Sequence, residues 1–286
     1  MKSDLEKALA NVPVINLKSF KENSVNALME KYNICGSVKA KAVYWMLKTA
    51  VENNQLDTSK IVLEASSGNT AISLAYFSKL FWFKVEIIAP SSTAQCKKRL
   101  IQSYWAKLIE VDGITDDCID LRTKMHEENK WKYYLPDQFT NEANLYAHYN
   151  LTWPRIVETL WKDLDFFCAG LGTAGTVIWA WKYLKEINPN IKILAINTVE
   201  KIEWLRNFKT SKVVVPFYEE NKDKIIDETI DVTQEDMKAW LNMYLTEWYS
   251  VWLSSWAILS WLSRWLKWKE GLKWVTIAPD GWDFYL

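Results

Sequence analysis

The feature that most constrains the fold of this chain is an alternation of short apolar runs with helical segments. In the first half, apolar runs lie at 61–65, 84–90 and 107–111, and a segment with helical periodicity follows each of them. Short β-rich runs suit strands that are buried on both faces, and strands that alternate with helices are typical of parallel sheets. The sequence therefore predicts an α/β fold whose sheets are mostly parallel, twisted and flanked by helices.

The same alternation continues in the second half, which predicts two domains. We predict strands at 61–65, 84–90, 107–111, 133–135, 164–169, 191–196 and 275–279, and helices at 70–79, 95–105, 114–129, 153–161, 177–187 and 230–245. The last helix has Thr233 as a candidate N-cap, and Asp236 completes a capping-box pattern. The break between the two sets of elements lies near 140–152, so we predict an N-terminal domain, 1–145, and a C-terminal domain, 146–286.

Charge and hydropathy exclude several classes of function. The 35 Lys and Arg residues balance the 35 Asp and Glu residues, so no basic excess favours a nucleic-acid partner. Charged residues interrupt the longest apolar stretches before they reach the roughly 20 residues that a membrane helix needs. We therefore expect neither a nucleic-acid partner nor a membrane.

The cysteines and histidines indicate a reducing compartment and no metal site. The cysteines are scattered, without a close pair: Cys35, Cys96, Cys118 and Cys168. This spacing favours reduced thiols, and the first residues have no apolar export signal, so we expect a cytoplasmic protein. His126 lies in a charged helix and His148 has no metal-ligand partner at a suitable spacing, so neither predicts a metal centre or a Ser-His-Asp set.

Three short motifs carry most of the chemical information. They are Gly36-Ser37-Val38-Lys39, Ser66-Ser67-Gly68-Asn69-Thr70 and Gly172-Thr173-Ala174-Gly175-Thr176. A lysine amine can hold an aldehyde cofactor as a Schiff base. A polar loop at a helix start can bind the carboxylate of an amino acid, and a glycine-threonine loop after a strand can bind a phosphate. In this order the motifs predict a pyridoxal 5'-phosphate (PLP) site that acts on an amino acid.

Each motif also has an ordinary structural interpretation. A lysine in a loop is commonly solvated, serine and asparagine are frequent helix N-caps, and a strand-to-helix turn with glycines is common. The combination and the order of the three motifs favour the PLP interpretation.

The motifs resemble those of the fold-type II PLP enzymes, most closely the cysteine synthases (O-acetylserine or O-phosphoserine sulfhydrylases) and their cystathionine β-synthase relatives. The resemblance spans roughly residues 30–285 and includes residues 137–144, DQFTNEAN, and the late pair Ser254-Ser255. It implies a fold like that of the tryptophan synthase β-subunit, with a mostly parallel sheet in each of two domains.

The resemblance also implies a role for each residue of the motifs. Lys39 matches the lysine that holds PLP and removes the substrate α-proton, Asn69 matches the residue that binds the ring hydroxyl, and Ser254 matches the serine at the pyridine nitrogen. The substrate-carboxylate group is matched by Ser66, Ser67, Gly68, Thr70 and Gln138, and the phosphate loop by Gly172, Thr173, Ala174, Gly175 and Thr176. A serine in place of a carboxylate leaves the pyridine nitrogen unprotonated, which suits elimination of a β-substituent.

Tryptophan is abnormally frequent and glycine abnormally rare. The chain has 18 Trp and 8 Gly, whereas average glycine use is about 7%. Several tryptophans stand where the resemblance implies glycine: Trp82, Trp105, Trp153, Trp161, Trp179, Trp252, Trp256 and Trp282. Our hypothesis is that glycine codons of the form UGA are read as tryptophan in this sequence, and UGG codons at Trp105, Trp153 and Trp256 would contradict it. A genuinely tryptophan-rich relative and an engineered sequence are the alternatives.

The resemblance implies a PLP-dependent β-replacement, in which O-acetyl- or O-phospho-L-serine reacts with sulfide to give L-cysteine. It also implies a homodimer. The alternatives are a cystathionine β-synthase, a serine/threonine dehydratase, and a non-catalytic homologue that tryptophans at glycine positions impair. Ala40, which replaces the usual acidic residue after the lysine, and Trp256 favour the non-catalytic alternative, whereas the intact Lys39 and Asn69 argue against it.

Overall fold

A computed structural model describes residues 3–160, 163–200, 205, 207–209, 214–236, 238, 251 and 253–281. The described residues fall into two compact units. The small unit contains residues 39–144, and the large unit contains residues 3–38 together with the described residues from 145 onward.

Helices and strands alternate through most of the described chain. The strands are β1 Val14–Asn16, β2 Ser24–Met29, β3 Ile61–Ala65, β4 Lys84–Pro90, β5 Lys107–Val111, β6 Tyr133–Tyr134, β7 Phe166–Gly170, β8 Lys192–Thr198, β9 Glu228–Val232 and β10 Lys273–Ala278. The helices are α1 Asp4–Ala10, α2 Lys39–Glu52, α3 Asn69–Leu80, α4 Gln95–Ser103, α5 Thr115–Glu128, α6 Glu142–Ala147, α7 Trp153–Leu160, α8 Gly175–Ile187, α9 Pro216–Glu219, α10 Lys222–Ile225 and α11 Leu253–Leu266. Short 3-10 turns lie at Glu30–Tyr32 and Ile34–Gly36, and a π-helical turn lies at His148–Thr152.

The small unit is built on a four-stranded sheet in the order β5-β4-β3-β6. All of its strand pairs are parallel. The central strands β3 and β4 are almost wholly buried, as their apolar sequences require, and one core cluster beneath α5 contains Leu63, Ile88 and Cys118. Because parallel strands all end at the same edge, the loops that follow β3 and β4 lie on one side of this unit.

The large unit contains a six-stranded sheet in the order β1-β2-β10-β7-β8-β9. Only the β1–β2 pair is antiparallel, and the remaining pairs are parallel. Helix α11 packs on this sheet and contributes Trp256, Leu259 and Trp261 to the core. The fold class predicted from the sequence is therefore confirmed. Within the described residues, no helix combines the length and the apolar character needed to cross a membrane.

The predicted strands at 61–65, 84–90 and 107–111 coincide with β3, β4 and β5. The helix predicted at 230–245 is wrong at its start, because residues 230–232 form the end of β9 and pair with β8. The helix begins only after Thr233, whose hydroxyl accepts a hydrogen bond from the Asp236 N–H at 3.2 Å, while the Asp236 carboxylate accepts one from the Thr233 N–H at 2.9 Å. The capping box is therefore confirmed. Residues 237 and 239–245 of the prediction lie outside the described residues.

The first 38 residues pack differently from the grouping made in the sequence analysis. Strand β2 pairs with β10 along its whole length, from Ser24 opposite Lys273 to Met29 opposite Ala278. This pairing places residues 3–38 in the large unit, whereas the sequence analysis grouped them with residues up to 145. Nothing local in the sequence signals a pairing between segments so far apart along the chain.

Two of the tryptophans singled out above occupy backbone conformations that favour glycine. Trp82 has φ = 63° and Trp105 has φ = 67°. Each is the second residue after a helix, α3 or α4, where a left-handed residue commonly ends the helix and is usually glycine. After α3 the Trp82 N–H donates to the Lys79 carbonyl and the Phe83 N–H donates to the Ser78 carbonyl, which is the Schellman arrangement. The indoles are 79% and 70% exposed, so burial does not offset the strained backbone.

Other tryptophans are deeply buried. Trp153 and Trp274 have no exposed surface, and their indole nitrogens have no hydrogen-bond partner among the described residues. A buried N–H without an acceptor costs free energy. Trp256 is also buried, in α11. Trp161, Trp252 and Trp282 lie outside the described residues.

We expect Trp82→Gly to raise the free energy of unfolding by about 1 kcal/mol, because a non-glycine residue in the left-handed region costs roughly that much. Trp105→Gly should gain less, since the Lys79 ammonium lies 3.9 Å from the Trp105 ring centre and that contact would be lost. Thermal and urea unfolding measure both changes.

Trp268→Gly is the matched control. Trp268 is 87% exposed but does not have a positive φ, so glycine should bring no gain there. Equal stabilisation at Trp268 and Trp82 would show that removing any exposed indole is enough, and that the backbone conformation is not the cause.

Candidate active site

The loop Ser66–Thr70 joins the buried end of β3 to the start of α3. Its N-cap residue is Gly68, and no side chain caps the helix. The Ser66 hydroxyl instead accepts a hydrogen bond from the Gly68 N–H at 3.3 Å, inside the loop. The ordinary interpretation of this motif, a side-chain N-cap, is therefore not realised. No side chain among the described residues caps the start of α3, and helix N-termini favour anions.

Gln138 lies beside this loop, although 68 residues separate it from Thr70 along the chain. The Thr70 hydroxyl donates to Gln138 Oε1 at 2.7 Å, and both side chains are buried. The Asn144 amide donates to the Gln138 backbone carbonyl at 2.9 Å and so fixes the turn that carries it. The structure thus brings together the residues that the sequence analysis assigned to the substrate carboxylate.

Lys39 is the first residue of α2 and is half-buried. Partial burial is what a lysine needs to act as a nucleophile near neutral pH, because desolvation disfavours its charged form. The residues next to it in the helix, Ala40 and Lys41, are fully buried. We predicted no helix here from the sequence, and the position of Lys39 at a helix start comes only from the structure.

The glycine-threonine loop follows β7 and leads into α8. Ala174 is the N-cap residue of α8 and has a left-handed backbone, with φ = 59° and no side-chain cap. Glycine adopts this conformation at less cost than alanine, which gives a physical reason for the glycine that the resembling family more often has there. The strand-loop-helix arrangement predicted for Gly172–Thr176 is present. The loop runs into the N-terminus of α8, and helix N-termini favour anions.

His148 supports the glycine-threonine loop from the π-helical turn. Its Nε2 lies 3.3 Å from the Thr176 Oγ1, and its Nδ1 lies 3.1 Å from the Thr152 Oγ1. The imidazole is buried. From the sequence we expected His148 to take part in neither a metal centre nor a Ser-His-Asp set, and its contact with Thr176 was not predicted. The separation of 28 residues between His148 and Thr176 gives no local signal for it.

Ser254 lies in the first turn of α11 and is buried. Its hydroxyl oxygen has no hydrogen-bond partner among the described residues. A buried hydroxyl in this state costs free energy unless a bound group supplies an acceptor or donor.

Comparisons with known proteins agree with this geometry. The model of a family described as pyridoxal-phosphate dependent enzymes matches residues 5–278. The chain is 29% identical to a cysteine synthase of Aquifex aeolicus (strain VF5), over 98% of this chain and 89% of that protein. It is 27% identical to an O-acetylserine dependent cystathionine β-synthase of Bacillus subtilis (strain 168), over 99% of this chain and 96% of that protein.

A solved structure shares the fold over the whole chain. The hydrogen sulfide-producing enzyme Fn1220 of Fusobacterium nucleatum superposes with a TM-score of 0.90 at 25% identity, covering 100% of this chain and 98% of that one. The fold and the loops define a PLP-dependent enzyme. The chain belongs to the family of pyridoxal-phosphate dependent enzymes, within its cysteine synthase and cystathionine β-synthase group. The resemblance drawn from the motifs, and the PLP cofactor it implied, are confirmed.

The residues present fit this cofactor. The unpartnered hydroxyl of Ser254 is a group of the kind that a pyridine nitrogen would satisfy. The uncapped start of α8 is suited to a phosphate.

We expect His148→Phe to lower the free energy of unfolding by about 1–3 kcal/mol, because the buried hydroxyl of Thr152 and the half-buried hydroxyl of Thr176 would lose their ring partner. The looser loop should also release PLP faster, which fluorescence of the freed cofactor measures. His126→Phe is the control, since His126 lies in α5 of the small unit, whereas the glycine-threonine loop belongs to the large unit. Equal PLP retention in both variants would contradict the role of His148.

Proposed function

We propose that this enzyme catalyses β-replacement on an O-activated L-serine, O-acetyl- or O-phosphoserine, with sulfide as the nucleophile and L-cysteine as the product. The observation that carries the proposal is the uncapped start of α3, with the Thr70–Gln138 pair beside it. Such a site suits the carboxylate of a small amino acid. The full-length likeness to a cysteine synthase supports the choice of reaction.

Different groups of residues would bind the substrate and the separate parts of the cofactor. The backbone N–H groups of the loop Ser66–Thr70, with the Thr70 hydroxyl and the Gln138 amide, would bind the substrate carboxylate. Asn69 would bind the ring hydroxyl of the cofactor. Residues Gly172–Thr176 would bind its phosphate through backbone N–H groups and threonine hydroxyls.

Lys39 would perform the proton transfer. The cofactor, when bound, supplies an electron sink that stabilises negative charge at the substrate α-carbon. Lys39 would hold PLP covalently in the resting enzyme, accept the α-proton at its amine during the reaction, and return a proton at the end. Ser254 offers the pyridine nitrogen a neutral hydroxyl and no carboxylate, which suits departure of a β-substituent.

A second candidate is synthesis of cystathionine, with a thiol amino acid in place of sulfide. The likeness to the Bacillus subtilis O-acetylserine dependent cystathionine β-synthase favours it. Supplying sulfide or homocysteine to the same holoenzyme, and comparing kcat/KM for the two nucleophiles, separates the candidates. A serine/threonine dehydratase would form a keto acid without either nucleophile.

We also propose that the enzyme is a cytoplasmic homodimer. Among the described residues the four cysteines form no disulfide, as expected in a reducing compartment. Light scattering of the purified protein tests the dimer, and fractionation of cells that produce the chain tests the location. A monomer in solution would contradict the first part of this proposal, and recovery outside the cytoplasm would contradict the second.

We expect the purified chain with PLP to show the visible absorption of a lysine-bound cofactor, and O-acetyl-L-serine to change this spectrum until sulfide restores it. Lys39→Ala should abolish both the absorption and cysteine formation, because no amine is left to hold PLP or accept the α-proton. Lys48→Ala is the matched control, since Lys48 lies in the same helix and pairs with Glu52 at 3.5 Å.

If the unaltered chain does not show this absorption, the variant Trp256→Gly is measured next. Recovery of the absorption in that variant would show that the buried indole blocks the cofactor. If the unaltered chain and both Trp256→Gly and Lys48→Ala lack the absorption, the proposal is wrong and the non-catalytic alternative stands.

A further inference from the structure

A network of three charged side chains, of which Glu64 and Arg122 are buried and Asp137 is half-buried, lies in the small unit near the loop Ser66–Thr70. The Arg122 guanidinium donates from Nη1 to Glu64 Oε1 at 2.9 Å, and the same nitrogen lies 3.9 Å from Asp137 Oδ1. The Glu64 side chain is 1% exposed and the Arg122 side chain 10%. One cation in α5 therefore faces two carboxylates that come from different segments of the small unit.

The two carboxylates belong to the two segments that form the candidate carboxylate site. Glu64 lies in β3, two residues before Ser66, and Asp137 directly precedes Gln138. Among the described residues, Arg122 makes no hydrogen bond or ion pair with Thr70 or Gln138. It connects their supporting segments, which the Thr70–Gln138 hydrogen bond and the β3–β6 strand pairing also join.

Asp137 also carries backbone strain. Its φ is 43°, in the left-handed region that non-glycine residues rarely adopt. Its carboxylate holds the turn by accepting from the Phe139 N–H at 3.3 Å and from the Thr140 hydroxyl at 2.9 Å. A strained residue persists only where its surroundings hold it, and such residues cluster at binding sites. The attraction of Arg122 is one of the forces that hold this turn.

Stability alone is a weak explanation for this network. Burial raises the pKa of Glu64, and the neighbouring guanidinium of Arg122 opposes that rise. Buried ion pairs recover the cost of desolvation poorly, and an apolar replacement of the whole pair is often neutral. The geometry therefore points to a role in the site.

We propose that Arg122 is a positioning residue for the amino-acid substrate. By attracting Glu64 and Asp137 together, it sets the distance between the loop Ser66–Thr70 and Gln138, and so the fit of the substrate carboxylate. This inference rests on the proposed function.

The test compares four variants of the PLP-loaded enzyme. Arg122→Met removes the cation and leaves Glu64 buried without it, so both stability and amino-acid affinity should fall. Arg122→Met with Glu64→Gln removes the buried charge as well, so stability should recover. Asp137→Asn keeps an acceptor for the turn but removes the attraction to Arg122. Lys124→Met, an exposed cation in the same helix, is the control.

The positioning role predicts a separation of stability from affinity. The double variant should unfold near the wild-type temperature, yet its KM for O-acetyl-L-serine should stay about ten- to a hundredfold raised, because misplacement by about 1 Å has effects of that size. Asp137→Asn should raise the same KM, and neither variant should change the KM for sulfide or the retention of PLP.

Wild-type KM in the double variant would overturn the proposal, since Arg122 would then only neutralise Glu64. Normal affinity in Asp137→Asn would overturn it as well. A wild-type holoenzyme that binds no amino acid in a spectral titration would refute the proposed function, and the positioning role with it. Normal binding in every variant refutes the positioning role alone.

Discussion

The interaction on which the candidate site depends is the attraction between helix N-termini and anions. Parallel strands force each strand-to-helix turn to the same edge of its sheet. In the small unit this turn runs from β3 to α3, and in the large unit it runs from β7 to α8. The N-cap residues are Gly68 and Ala174, and neither helix has a side-chain cap. A protein normally satisfies these N–H groups with its own side chains. Leaving both helix starts uncapped costs stability and creates two places where a bound carboxylate or phosphate is favoured.

Each of these loops is held by side chains from distant parts of the sequence. Thr70 bonds Gln138, and the network of Glu64, Arg122 and Asp137 lies near them. His148 contacts Thr176 in the glycine-threonine loop. The supports are polar and mostly buried, and such groups are costly unless they are satisfied. Because these side chains contact the loops that carry the motifs or the segments next to them, they fix the backbone geometry of those loops.

Several tryptophans occupy positions that do not suit a tryptophan side chain. Trp82 and Trp105 follow helices in a conformation that suits glycine, while Trp153 and Trp274 bury indole nitrogens without partners among the described residues. The exposed tryptophans cost backbone strain, and the buried ones cost the free energy of an unsatisfied N–H group. Trp82, Trp105 and Trp153 stand where the resemblance implies glycine, so their costs are consistent with the hypothesis that glycine codons are read as tryptophan, and the codons themselves decide it. The backbone forms the Schellman hydrogen bonds after α3, although Trp82 occupies the position that suits glycine.

The sequence by itself determined the sheet class, the limits of β3, β4 and β5, the capping box at Thr233, and the three motifs. These features are local, because apolar runs, caps and short loops act over a few residues. Only the tertiary structure decided that β2 lies beside β10, that residues 230–232 are strand, and that Lys39 starts a helix. It alone placed Arg122 against Glu64 and His148 against Thr176. The physical reason is that these contacts join segments tens to hundreds of residues apart, and the energy that selects them comes from burial and pairing in the folded chain, which no short stretch of sequence contains.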